Sequence, residues 1–282
     1  MFEYRRVLRI FILVTIAALF LNVSAFLSPS LRAFALQGLQ EGVKVGLDWQ
    51  TRDYQTVSTE NFIIKYTPQD EDIIPKAAEV LEDYYTKARS ILAYGGAKPK
   101  EILVIVYPNQ DTLNSSFGMT GDKSTAGIYW AGTIRLLSPR GWSEDAAEAE
   151  LKKILRQDLP ISHELTHFIV DEWTRGNYSR WLTEGLAQYV EEKVAGFTLE
   201  EPGPDAKAEP YGLTQLESGF DSAGDQTLAY WQSLQAVAYL IDQHGADKMG
   251  QLLDTLRQGA QTEEAIRTVY GLSYAELEQE SL

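Results

Sequence analysis

The chain is 282 residues long, carries a net charge of −15 and contains no cysteine. So acidic a surface excludes the basic footprint of a nucleic-acid binder, and the missing thiols exclude disulfides, thiolate metal sites and thiol nucleophiles. The length allows one large domain or two small lobes with a substantial core.

The first 35 residues differ in kind from the rest. Arg5, Arg6 and Arg9 precede an apolar run from Ile10 to Leu27, and Ala33-Phe34-Ala35 offers a small-x-small cleavage sequence. The layout predicts a secretory signal, cleaved after Ala35. The alternative is a retained membrane anchor, since about 18 apolar residues nearly span a bilayer. Either way the arginines stay on the cytoplasmic side and the remainder is exported, secreted or periplasmic in one case and membrane-anchored in the other. Residues 36–50 show no clear period and read as a tether.

Tyr54 to Tyr66 reads as strand, ending in the alternating Phe62-Ile63-Ile64-Lys65-Tyr66 before Pro68. Ile73 to Leu92 predicts an amphipathic helix, with Ala77, Val80, Leu81, Tyr84 and Ala88 at helical spacing. Glu101 to Tyr107 is nearly all apolar, the mark of a central strand. Ala126 to Trp130 and Thr133 to Leu137 flank Ala131-Gly132 and predict a hairpin, and Glu144 to Arg156 a charged helix.

Pro160 then opens the stretch Ile161-Ser162-His163-Glu164-Leu165-Thr166-His167-Phe168-Ile169-Val170. As a helix it puts His163 and His167 one turn apart on one face, close enough to share a cation. Glu164 lies about a quarter turn round, within reach of a water on that cation. Ile161, Leu165, Phe168 and Ile169 face the other way, towards a core. This is the His-Glu-x-x-His zinc pattern, with the Glu as general base of a metallopeptidase. Two of the chain's three histidines fall in it, which weighs against a chance match. Arg175-Gly176-Asn177 breaks the chain before a second helix. There Trp181-Leu182-Thr183-Glu184-Gly185-Leu186-Ala187 supplies a third ligand, Glu184, seventeen residues after His167. A catalytic zinc takes three protein ligands and an open position, so one Zn2+ per chain is expected.

Two further acids stand near these ligands. Glu191 shares the face of Glu184, and Asp171 lies one turn beyond His167. Each is either a carboxylate orienting a histidine ligand or a solvated acid. Residues 198–226, rich in Pro and Gly, predict a long loop. Leu228 to His244, Asp247 to Arg257, Thr262 to Val269 and Tyr274 to the end predict helices.

With His-Glu-x-x-His followed by W-L-x-E-G-x-A on the next helix, the chain from about Thr51 onward resembles the gluzincin metallopeptidases. This peptidase MA-like group includes the thermolysin and aminopeptidase N types. The resemblance implies an α+β, zincin-like fold. A small mixed N-terminal sheet lobe with a covering helix would precede a mainly helical C-terminal lobe, with the zinc site in the cleft between them. On that division 51–158 holds the mixed sheet, 159–174 the metal helix and 175–282 the helical lobe. Gly127, Ile128, Tyr129 and Trp130 would then line the site and pair with extended substrate by strand addition, the alternative being an ordinary edge hairpin.

The oxyanion of the reaction needs a donor, for which Tyr178, Tyr230 and His244 are the candidates. The stretch from Tyr230 to Tyr239-Leu240 resembles the aminopeptidase N-type helix that begins with the catalytic tyrosine, which carries the role to Tyr230. The usual Lys-Gly after that tyrosine is replaced by Gln232-Ser233. Ala126 to Gly132 lacks the acid with which such aminopeptidases hold a free amine. An endopeptidase or peptide-trimming enzyme is therefore expected, acting on a peptide or protein. The alternatives are an aminopeptidase and a non-catalytic zinc-binding or scaffold protein that keeps the fold, and the intact Glu164 argues for catalysis.

Overall fold

The computed structural model describes residues 29–96, 101–118, 125–143 and 146–282. The N-terminal arginines and the apolar run from Ile10 to Leu27 lie outside the described residues. The chain divides into two compact units, 1–78 with 99–151 and 79–98 with 152–282.

The first unit is built on a five-stranded mixed sheet of order β1-β2-β3-β5-β4. Its strands are β1 (Gln55–Ser58), β2 (Phe62–Tyr66), β3 (Ile102–Tyr107), β4 (Gly127–Trp130) and β5 (Thr133–Leu137). β2, β3 and β5 run parallel, and β1 and β4 are antiparallel edges. The span expected as one strand, Tyr54 to Tyr66, is two. Thr59 closes the turn between them, its hydroxyl accepting from Phe62 N at 3.1 Å. β3 is buried along its whole length, as its unbroken apolar run requires. The β4–β5 hairpin turns through Ala131 (φ 49°) and Gly132 (φ 77°). Two left-handed residues in a row suit the two-residue hairpin turns that match strand twist.

Residues 36–50 are not a tether. They belong to helix α1 (Pro29–Gln50), which also contains Ala33-Phe34-Ala35. Val43 and Leu47, one turn apart, are buried, and Lys65 Nζ reaches Asp48 Oδ1 at 2.6 Å. Gly38, Gly42 and Gly46 interrupt the pattern with the weakest helix formers after proline, so the period is faint until the packing supplies it. No helix among the described residues is long and apolar enough to cross a membrane.

The second unit is helical. Its boundary falls inside helix α2 (Ile74–Ile91). Tyr84 Oη donates to Arg156 O at 2.5 Å and Arg156 pairs with Glu79 at 2.9 Å. The helix expected from Glu144 to Arg156 is shorter, Glu148–Lys153, and passes into a π-helical turn, Ile154–Asp158. The unit's longer helices are α4 (Ile161–Thr174), α5 (Arg180–Ala195), α6 (Gln226–His244), α7 (Ala246–Arg257), α8 (Thr262–Tyr270) and α9 (Tyr274–Ser281), numbered after α3 (Gln110–Ser116) of the sheet unit. The metal-helix pattern of residues 159–174 therefore groups with the helices and not with the sheet. Trp173 Nε1, for example, donates to Asp254 Oδ1 of α7 at 2.7 Å.

The stretch 198–226 is also more ordered than a loop. It contains the short helices Pro204–Lys207 and Leu213–Gly219 and a 3-10 turn, Phe220–Ser222. Distant partners hold it: Gln232 accepts from Tyr211 N at 3.0 Å and donates to Tyr211 O at 2.9 Å.

Candidate metal centre

α4 is buried on nearly every side, with only His163 and Glu172 partly accessible. A helix buried all round belongs in a core; the Ser162 hydroxyl is buried in it without a hydrogen-bond partner, whereas its two threonines are satisfied. Thr166 and Thr174 hydroxyls donate back to Ser162 O and Val170 O, at 2.8 and 2.7 Å. α4 ends at Arg175 (φ 58°) and Gly176 (φ 74°), whose left-handed turn releases the chain into α5. The start of α5 is pinned by Trp181. Its indole donates to Glu217 Oε2 at 2.9 Å, the same oxygen that takes the Tyr274 hydroxyl at 2.9 Å.

α5 also lies close against α6. A Cβ on Gly185 would stand 2.2 Å from Ser233 O and 2.7 Å from Val237 Cγ2. The glycine beside Glu184 therefore lets the ligand helix reach its depth. Gly185→Ala is expected to destabilise the fold by about 1–3 kcal/mol through overpacking against a backbone carbonyl, despite alanine's better helix propensity. Urea unfolding measures it, and an unchanged midpoint would mean the helices part without cost.

This scaffold brings His163, His167 and Glu184 together, with one candidate ligand atom from each lying within 4.8 Å of the others. His163 Nε2 is 3.3 Å from Glu184 Oε2, and His167 Nε2 is 3.6 Å from Oε1. Donors in a tetrahedral zinc shell, each at about 2.0–2.2 Å from the ion, lie about 3.4 Å apart. Both outer ring nitrogens have partners: His163 Nδ1 meets Glu191 Oε2 at 3.1 Å, and His167 Nδ1 meets Thr183 Oγ1 at 2.7 Å. With Nδ1–H directed outward in this way, each Nε2 would turn its lone pair to an ion held beside Glu184, the tautomer that metal-binding histidines adopt. Glu184 is 1% exposed and its Oε2 has no hydrogen-bond partner. A buried carboxylate oxygen left so is costly unless a cation meets it. The residues thus fit a divalent ion.

The charges point the same way. Burial favours a neutral His163, but Glu184 and Glu191 outweigh it and raise its pKa well above the imidazole range. Burial takes His167 down to about 3. Burial also opposes the charge on Glu184, yet His167, His163 and Arg180 hold its carboxyl down at about 2. Glu184 is therefore an anion at the centre of the cluster, and the pocket attracts positive charge.

Of the other expected residues, Glu191 sits on a histidine ligand and Asp171 hydrogen-bonds the Tyr178 side chain. Glu164 is buried and adds to the negative field felt by His163 and Tyr230. Tyr230, in the first turns of α6, packs edge-on to Phe220 at 5.1 Å. Burial first, and then the charge of Glu184, push its phenol up to about 12. His244 stacks its ring edge-on against Tyr239 and Tyr270 at 5.7 and 5.2 Å, at the far end of the same helix. In the sheet unit Gly127 to Trp130 form an edge strand with Trp130 exposed, while Tyr129 Oη accepts from Gly132 N at 3.2 Å. Behind that strand the guanidinium of Arg135 lies over Phe117 (4.2 Å) and Trp130 (5.6 Å).

Two residues at the centre escaped the sequence reading. Thr183 adjoins Glu184 and carries no signal of its own. Arg180 stands four residues before Glu184, a spacing that pairs opposite charges on a helix, and its Nη2 is 2.8 Å from Glu184 Oε1.

A pair of histidines one turn apart, joined by a glutamate from the next helix, defines a site that could hold a metal ion. Residues 153–281 match the family model described as the Peptidase MA superfamily. The match points to a peptidase, hence a hydrolase, of a superfamily whose members are typically zinc-dependent. It accords with the gluzincin resemblance without singling out the thermolysin or the aminopeptidase N type. A comparison with curated proteins finds no match to the chain.

Proposed function

We propose that the chain is a zinc-dependent peptidase in which His163, His167 and Glu184 hold one zinc ion and Glu164 is the general base. The observation that carries this reading is the convergence of both Nε2 atoms on Glu184, whose Oε2 is buried without a hydrogen-bond partner. Zinc bound there supplies an activated water and polarises the substrate carbonyl. Glu164 takes the proton of the attacking water and delivers it to the departing amine. Tyr230, whose hydroxyl stays protonated at neutral pH, donates to the oxyanion. Glu191 and Thr183 keep the two imidazoles in their tautomers. The open edge of β4 accepts extended peptide by strand addition, and its lack of an acid favours endopeptidase or trimming activity over aminopeptidase activity. The N-terminal arginines and apolar run support action outside the cytoplasm. The mass of the N-terminal peptide decides between cleavage after Ala35 and retention as an anchor.

Metal analysis and hydrolysis of casein or a quenched peptide test the reading together. One zinc per chain is expected, with activity lost to a chelator and restored by zinc. His163→Ala and Glu184→Ala should each lose the metal and the activity. If both keep stoichiometric zinc, the ligand set is wrong. A chain that holds zinc without turnover would favour the non-catalytic alternative.

A further inference from the structure

Arg180 opens α5 one turn before Glu184, and the two oxygens of that carboxylate differ. Oε1 receives Arg180 Nη2 at 2.8 Å. Oε2 is buried, has no hydrogen-bond partner and faces His163 Nε2 at 3.3 Å. The guanidinium is about half exposed, and its Nε lies 3.4 Å from Asp221 Oδ1. A charged donor at 2.7–2.9 Å from a carboxylate oxygen is about twice as strong as a neutral one. It also helps to offset the cost of burying Glu184.

We propose that Arg180 is a positioning residue for the metal ligand Glu184. By occupying Oε1 it prevents the carboxylate from rotating to offer both oxygens to one ion, and restricts it to a single-oxygen grip through Oε2. A two-oxygen grip would fill a coordination position that a catalytic zinc keeps for water and substrate. Hydrogen bonds to a ligating carboxylate fix its orientation in this way and strengthen its hold on the metal. The inference rests on the zinc reading above and adds how one ligand is held.

The test uses the full chain loaded with cobalt(II) in place of zinc, since the visible bands of cobalt are intense in four-coordinate sites and weak in five-coordinate ones. Arg180→Gln removes the charge and the fork, Arg180→Lys keeps one charged donor, and Asp221→Asn leaves the bond to Glu184 in place. Arg180→Gln should show the weaker bands and bind zinc about 10–100-fold less tightly in chelator competition. Arg180→Lys should recover most of both properties, and Asp221→Asn should match the unaltered chain. Wild-type zinc affinity and cobalt bands in Arg180→Gln would overturn the proposal. X-ray absorption at the zinc edge of the unaltered chain gives a check that does not depend on any variant folding: a two-oxygen carboxylate there also overturns it. If the unaltered chain takes up neither metal, the zinc reading itself has failed.

Discussion

Glu164→Gln is expected to lower peptide hydrolysis by about 10²–10⁴-fold, the usual contribution of a positioned general base, while zinc content and thermal midpoint stay the same. Glu164 is 6% exposed in the first turn of α4, next to one proposed ligand. Glutamine has nearly the same shape and leaves the packing intact, but its amide cannot take the proton of the attacking water. Because the side chain lies outside the ligand set, the metal should remain. Steady-state hydrolysis, read beside metal analysis, checks the result. Undiminished turnover with full zinc would assign the base role to another group.

Tyr230→Phe should lower kcat by about 10²–10³-fold, roughly 3–4 kcal/mol, as for the loss of one oxyanion donor. KM should change far less, because the donor meets charge that develops only in the transition state. Phenylalanine keeps the edge-on contact with Phe220 and removes only the hydroxyl. The two other candidates have competing engagements. Tyr178 hydrogen-bonds Asp171, and His244 is packed between Tyr239 and Tyr270. Measuring kcat and KM for Tyr230→Phe beside Tyr178→Phe and His244→Ala separates them. Full activity in the first with a large loss in either of the others would transfer the role.

The candidate centre was largely legible in the sequence because its geometry is local. His163 and His167 share a helix face by period alone, and Glu184 follows on the next helix at a spacing that the chemistry makes recognisable. The long helices after Gln226 were equally plain, since their apolar period is sustained. Errors arose where local signals were weak. Three glycines blurred the period of α1 although Val43 and Leu47 bury its inner face. The stretch 198–226 takes its order from partners such as Gln232 and Glu278, far along the chain.

By itself, then, the sequence determined the donor types, their helical spacing and the strand runs of the sheet, because each follows from a period of 3.6 or 2 residues or from the chemistry of a side chain. Only the tertiary structure decided what each donor faces. It set Glu191 and Thr183 behind the two histidines, turned Asp171 to Tyr178, and placed Arg180 on one oxygen of Glu184. It also brought α5 against α6 at Gly185, where a Cβ would collide with Ser233 O. Apart from the i,i+4 pair of Arg180 and Glu184, these are contacts between segments whose separation along the chain carries no period. Their outcome rests on close packing and on the cost of burying polar groups without partners.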